Sequence, residues 1–123
     1  MILGIGADIA DIERVARIVK RSPRFVQRVY HPVEQDDAAG RGERWATRFA
    51  VKEAWLKAMA LPLFSVPFNE IYVEIAADGQ PLLRLTGKAQ RLSQSRNVGR
   101  IHVSLSHDGG RALAFVVLEG EPE

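Results

Sequence analysis

Glu53 and Lys57 lie four residues apart in the run Arg48-Phe49-Ala50-Val51-Lys52-Glu53-Ala54-Trp55-Leu56-Lys57, and on a helix they project from one face. Asp8 stands where the short apolar run Ile2-Leu3-Gly4-Ile5-Gly6 would end a strand. A carboxylate at a strand end, a second on a helix and a lysine one turn on could hold a divalent cation against a phosphate. Oxygen ligands suit Mg²⁺, which takes one or two carboxylates and leaves its other positions to water and substrate phosphates. The lysine could then meet the charge that develops as a phosphoryl bond breaks. The same Glu/Lys spacing also describes a solvated surface pair worth a few tenths of a kcal/mol. An aspartate near a strand end can also cap the following turn, but Asp11 is better placed for that and leaves Asp8 free.

These residues need a strand and a long helix side by side. Residues 2–8 read as the strand, and Asp11 caps a helix with apolar positions at Ile12, Val15, Ala16 and Val19. Ser22-Pro23 reads as an N-cap followed by proline at the first helical position, so a second helix runs to about Tyr30. Residues 31–42, with a proline and two glycines, are expected to form a loop. The long helix runs from about Glu43 to Ala60, burying Val51, Ala54, Trp55 and Ala58, and Pro62 ends it. The period then changes. Ile71, Val73 and Ile75 alternate, Asp78-Gly79 turns, and Leu83 and Leu85 alternate on the return. Another helix spans Gly87 to about Ser95. A last hairpin pairs 100–106 with 111–119 around Asp108-Gly109-Gly110, with Ile101, Val103 and Leu105 on one face and His102, Ser104 and Ser106 on the other. Helices and antiparallel hairpins in this order make an α+β domain: an antiparallel sheet packed on a long helix, in one domain spanning 1–123.

The chain has no cysteine, which excludes disulfides and thiolate metal sites. No stretch is long enough to cross a bilayer, and the N-terminus lacks the pattern of a signal peptide; a cytoplasmic protein is expected. The whole chain carries a net charge of only +2, yet Arg14, Arg17, Lys20, Arg21, Arg24 and Arg28 fall within residues 14–28 without one acid. Such a local basic face implies an acidic partner surface. No aromatic platform interleaves with these residues, which argues against nucleic acid.

Three stretches together, Gly6-Ala7-Asp8-Ile9, Arg48-Phe49-Ala50-Val51-Lys52-Glu53-Ala54 and His102-Val103-Ser104-Leu105-Ser106-His107, resemble in order the holo-acyl-carrier-protein synthase family, the small 4′-phosphopantetheinyl transferases. The resemblance runs from Met1 to about Glu119. It implies transfer of 4′-phosphopantetheine from coenzyme A to a serine of apo-acyl carrier protein, with release of 3′,5′-ADP. It also implies the 4′-phosphopantetheinyl transferase fold and a homotrimer with coenzyme A clefts between subunits. Asp8 and Glu53 would hold Mg²⁺, Glu53 would help take the serine proton, and Lys57 would stabilise the transferred phosphate.

The resemblance assigns coenzyme A to Arg48, at the 3′-phosphate, to Ser106 and His107 at the nucleotide end, and to Pro81 near the adenine. Arg48 is nine residues from Lys57, half a turn out of phase, so it is either a surface residue or part of another subsite. Ser106 and His107 could equally be a polar strand end. Arg14, Ile18, Arg21, Arg24, Phe25 and Arg28 fall where the family docks the acidic helix of acyl carrier protein, with Phe25 as apolar anchor. Arg14, Arg17, Arg21, Arg24 and Arg28, at 3-4-3-4 spacing, make one stripe only if the two helices stack without a phase break at Pro23.

The chain departs from the family where Met59-Ala60-Leu61-Pro62 replaces Phe-Gly-Thr-Gly. Side-chain bulk and the missing N–H of Pro62 leave no phosphate cradle there. The stretch between Arg28 and Trp45 is also shorter and carries no lysine. A metal-dependent nucleotide phosphohydrolase and an acidic-partner binding module are the rival readings of the residues.

Overall fold

The computed structural model describes residues 1–122. Its elements run β1 (Ile2–Asp11), α1 (Ile12–Arg21), α2 (Pro23–Val29), α3 (Pro32–Ala38), α4 (Gly42–Ala58), a 3-10 turn (Phe68–Glu70), β2 (Ile71–Ile75), β3 (Pro81–Leu85), α5 (Gly87–Ser95), β4 (Val98–Asp108) and β5 (Arg111–Gly120). Both sheets are antiparallel: three strands in the order β1-β5-β4, and the β2-β3 hairpin. Helix α4 lies across the three-stranded sheet. Ala50, Val51, Ala54, Trp55 and Leu56 of α4 and Ala112, Ala114, Val116 and Leu118 of β5 are buried in one core.

Small residues set how closely helix and sheet approach. A Cβ on Gly4 would stand 1.9 Å from the Ala58 carbonyl oxygen, and one on Gly6 would stand 1.9 Å from that of Ala54. No side chain fits in that space, so the two glycines let α4 rest on the backbone of β1. Alternation along β1 then puts Gly4, Gly6, Asp8 and Ala10 on the helix side. Ile5 and Ile9, exposed, take the opposite face.

Local signals explain most of the boundaries. The Asp11 carboxylate accepts from the Arg14 N–H at 3.0 Å, and the Ser22 hydroxyl accepts from the Phe25 N–H at 3.1 Å with Pro23 at the first helical position. The last hairpin turns on Gly109 and Gly110, both at positive φ (56° and 78°), the conformation that a tight two-residue turn requires.

Three expectations need correction. The first strand continues past residue 8 to Asp11, so Asp8 lies within β1 rather than at its end. Residues 31–42 are not a loop: α3 occupies most of them. His31 caps it, with a ring nitrogen accepting from the Val33 N–H at 3.1 Å, and Glu34 reaches back to the His31 N–H at 3.1 Å. That reciprocal cap, with Pro32 at the first helical position, offsets the weak propensity of so short a helix. The basic stripe is also not continuous, because Ser22 is extended (φ −130°, ψ 94°) and breaks the phase between α1 and α2.

Candidate active site

The β1–α4 contact brings Asp8, Glu53 and Lys57 together. Lys57 Nζ donates to Asp8 Oδ1 at 2.7 Å, across 49 residues of chain, and the Asp8 side chain is 14% exposed. Hydrogen bonding to Asp8, then the Asp8 charge, raises the Lys57 pKa. Glu53 is half-buried beside them. Its pKa is pushed up to about 7, chiefly by burial and then by hydrogen bonding to and repulsion from the Asp8 carboxylate, with Lys57 opposing. Two carboxylates crowded together with one of them so hard to ionise are short of positive charge. Oxygen donors in that condition fit a hard divalent cation such as Mg²⁺. Among the described residues no cluster of three or more metal-ligating side chains occurs, so water and substrate oxygens would complete such a cation's shell.

A second cluster forms on another side of α4. Arg48 is buried rather than on the surface. Its Nη2 donates to Asp37 Oδ2 at 2.7 Å and its Nη1 to Thr47 Oγ1 at 3.0 Å, while its buried Nε has no partner. Arg44 donates to the other Asp37 oxygen at 2.7 Å. Burial lowers the Arg48 pKa, and Asp37 opposes that. Arg44, Arg48, Ser106 and His107 line one cleft of about 250 Å³, so Arg48 does meet the strand-end pair. Pro81 does not line that cleft; it opens β3, opposite Ile75. Arg44 and Asp37 join this cluster beyond the residues expected from the sequence. The four-residue spacing of Arg44 from Arg48 signals a shared helix face, whereas Asp37, on the short helix α3, carries no such local signal.

Arg14, Arg21, Arg24 and Arg28 are exposed, while Ile18 and Phe25 are half-buried. Phe25 packs against Tyr30 and Phe49, with ring centroids 6.0 and 5.9 Å away. His102, on the outer face of β4 as expected, bonds Glu119 at 3.1 Å.

A lysine–aspartate contact between the N-terminal strand and the long helix, a glutamate beside it, and an arginine cleft at the tip of β4 stand on an α+β fold shared with phosphopantetheinyl transferases. The chain belongs to the 4′-phosphopantetheinyl transferase superfamily, whose family model matches residues 4–116. It is similar to proteins named holo-[acyl-carrier-protein] synthase. That of Clavibacter sepedonicus is 41% identical over 98% of both chains, and that of Geobacter metallireducens is 44% identical over 97% of this chain and 98% of its own. Among solved structures, the Helicobacter pylori holo-[acyl-carrier-protein] synthase in complex with coenzyme A superposes with a TM-score of 0.84 at 31% identity, covering 94% of this chain and 99% of its own. The Neisseria meningitidis enzyme gives 0.86 at 32% identity, covering 97% and 99%.

Proposed function

We infer that this chain is a holo-acyl-carrier-protein synthase, moving 4′-phosphopantetheine from coenzyme A to a serine of apo-acyl carrier protein. The observation that carries the reading is the Asp8–Lys57 contact at 2.7 Å with Glu53 beside it, in a chain of this superfamily. Asp8 and Glu53 would hold Mg²⁺, which when bound supplies positive charge to the pyrophosphate and to the leaving oxygen. Glu53, beside Asp8 and Lys57 on the face of α4 that meets β1, would help take the serine proton. The serine oxygen forms its bond to the β-phosphorus of coenzyme A as the bridging P–O bond breaks and 3′,5′-ADP leaves. Lys57 Nζ, more than half exposed, can face the charge on the transferred phosphate while Asp8 fixes its position.

Arg48, Ser106 and His107 would take the nucleotide end of coenzyme A, with Arg48 Nε the free donor and Arg44 alongside. The cleft of about 250 Å³ falls below the range of pockets that enclose a drug-sized ligand, so a neighbouring subunit would complete it. The outer face of the β1-β5-β4 sheet favours this. Ile5, Ile9, Leu113 and Phe115 are exposed there on adjacent strands, an apolar patch suited to the homotrimer. Arg14, Ile18, Arg21, Arg24, Phe25 and Arg28 would dock the acidic carrier protein. The whole chain would act as one domain, in the cytoplasm.

The test is the intact mass of apo-acyl carrier protein after incubation with the chain, coenzyme A and Mg²⁺, with an EDTA control. The expected result is a metal-dependent gain of one phosphopantetheine. Release of 3′,5′-ADP without carrier protein would instead identify a nucleotide hydrolase.

A further inference from the structure

Ion pairs join α3 to α4 along facing sides. Glu34 and Asp37 stand three residues apart on α3, and Arg44, Arg48 and Lys52 stand four apart on α4, so each set shares one helix face. Glu34 takes Lys52 at 2.6 Å, both side chains fully buried, and this fixes α3 against α4. Asp37, one turn further along α3, takes both arginines. Its Oδ1 accepts from Arg44 Nη1 and its Oδ2 from Arg48 Nη2, each at 2.7 Å. Arg44 Nη1 also donates to the Asp37 carbonyl at 3.2 Å. One carboxylate thus ties two guanidinium groups together. Arg48, its side chain only 7% exposed, keeps a buried Nε without a partner. Among the described residues, Arg44 uses only Nη1 in hydrogen bonds. Both arginines line the cleft of Ser106 and His107.

A buried donor left unpaired, with a second arginine fixed beside it, calls for an anion with several acceptor oxygens. A terminal phosphomonoester offers three oxygens and about two charges at neutral pH, enough for two guanidinium groups at once. Bulk charge does not make the choice, because Asp37 offsets one arginine and Glu43 also lines the cleft. The choice has to come from how the arginines are held. We propose that Arg44 is a second phosphate-binding residue of this cleft, and that Asp37 is the positioning residue that sets Arg44 beside Arg48. The pair, rather than Arg48 alone, then makes the chain select coenzyme A over dephospho-coenzyme A, which lacks the 3′-phosphate. This rests on the transferase reading above and gives substrate selection to a carboxylate that itself meets no substrate.

The test is calorimetric binding of coenzyme A and of dephospho-coenzyme A, with Mg²⁺ and without carrier protein, to wild type, Arg44→Gln and Asp37→Asn. Wild type should prefer coenzyme A, and each variant should lose about tenfold of that preference, equivalent to about 1.4 kcal/mol. The double variant should lose less than the two single losses combined, because Asp37 acts through Arg44. In transfer assays the loss should fall on the KM for coenzyme A rather than on kcat. The Arg44 side chain is 34% exposed, so Arg44→Gln decides the matter even if Asp37→Asn does not fold. Full preference for coenzyme A in either folded variant overturns the proposal. So does a parallel loss of affinity for both ligands, which would make Asp37 and Arg44 a prop between α3 and α4. A wild type that binds the two ligands equally overturns it as well. Preference that depends on the pair, without transfer to any carrier protein, would sink the transferase reading alone. Transfer with undiminished preference in both variants would sink this assignment alone.

Discussion

Lys57 Nζ meets Asp8 Oδ1 at 2.7 Å, and the contact exists because β1 presents glycine where α4 crosses it. Asp8 follows Gly6 by two positions, so both face the helix. Glu53 and Lys57 flank Ala54, whose carbonyl oxygen would lie 1.9 Å from a Cβ on Gly6. The geometry of the proposed site and the close packing are therefore one feature: the glycine sets the helix–strand spacing that brings the carboxylates and the lysine together.

Gly6→Ala is expected to force α4 away from β1. The obstacle is backbone rather than a pliable side chain, so the cost should reach about 3 kcal/mol. Urea denaturation would measure it. A fall below about 1 kcal/mol would mean that the helix can shift freely, and the account of its positioning would fail.

Glu53→Gln should leave the chain folded but lower transfer by roughly 100-fold or more. It should also change how stability depends on pH. Glu53 has a pKa of about 7 in the folded chain against an ordinary 4.5, so the metal-free folded state holds its proton more tightly than the unfolded chain. That contribution is complete below the ordinary value and disappears as pH rises through about 7. In EDTA, the melting temperature of wild type should therefore drop across this window more than that of Glu53→Gln. Mg²⁺ should stabilise wild type more above pH 7 than below, since cation and proton compete for one carboxylate. Parallel melting profiles for the two proteins would show that the carboxylate does not titrate there.

Ala60→Gly should stabilise the chain. Helix α4 closes with the Leu61 N–H on the Leu56 carbonyl at 2.9 Å and the Ala60 N–H on the Lys57 carbonyl at 3.0 Å. This is a Schellman cap with Ala60 at its left-handed position, φ 55°. Glycine relieves the Cβ strain, and the added freedom of the unfolded chain takes part of the gain back, leaving about 0.5–1 kcal/mol. Chemical denaturation reads it directly. A loss of stability would mean that the Ala60 methyl makes a contact outweighing its backbone strain.

Much of this was legible in the sequence because the signals are local. Glu53 and Lys57 share a helix face by spacing alone, Ser22-Pro23 marks a helix start, and Gly87–Ser95 forms the helix that its pattern indicates. Asp8 was legible as a residue but not in its setting, since nothing in Gly-Ala-Asp says that the strand continues to Asp11. Arg48 could be given a phase but not a partner, because Asp37 sits on the one helix the sequence hid. Gly40 and Gly42 made that stretch look like a loop, although His31-Pro32-Val33-Glu34 already carried the proline and the glutamate of a capped start. An apolar groove beside Phe25, Phe49 and Phe68 was out of reach, because its walls come from α2, α4 and the segment after α4, which only tertiary packing brings together.

Phe115→Glu should break the proposed homotrimer while sparing the fold of the protomer. Phe115 pairs with Ala7 on β1 and points away from α4, 42% exposed, so the substitution disturbs no contact in the core. Light scattering should report a mass near that of one chain, against a larger assembly for wild type, and the KM for coenzyme A should rise if the proposed subunit contact completes the cleft. Wild-type mass for the variant would remove this face from the interface.

The buried pair Lys52–Glu34 tests how α4 is held from its other side. Both side chains are fully buried with Nζ 2.6 Å from Oε1. Lys52 also donates to the Ile71 carbonyl and lies 5.6 Å from the centre of the Tyr30 ring. Glu34 in turn accepts from the Val73 N–H at 3.0 Å, so the pair ties α3, α4 and β2 together. Burial pulls the Lys52 pKa down and Glu34 opposes it. Lys52→Met alone strands a buried carboxylate and should cost about 3–5 kcal/mol. Adding Glu34→Gln removes that charge while keeping an acceptor for Val73, so the double variant should be more stable than Lys52→Met by itself. A double-mutant cycle from urea denaturation decides it. Additive losses would mean that the two groups act independently and that α4 is held by its apolar contacts alone.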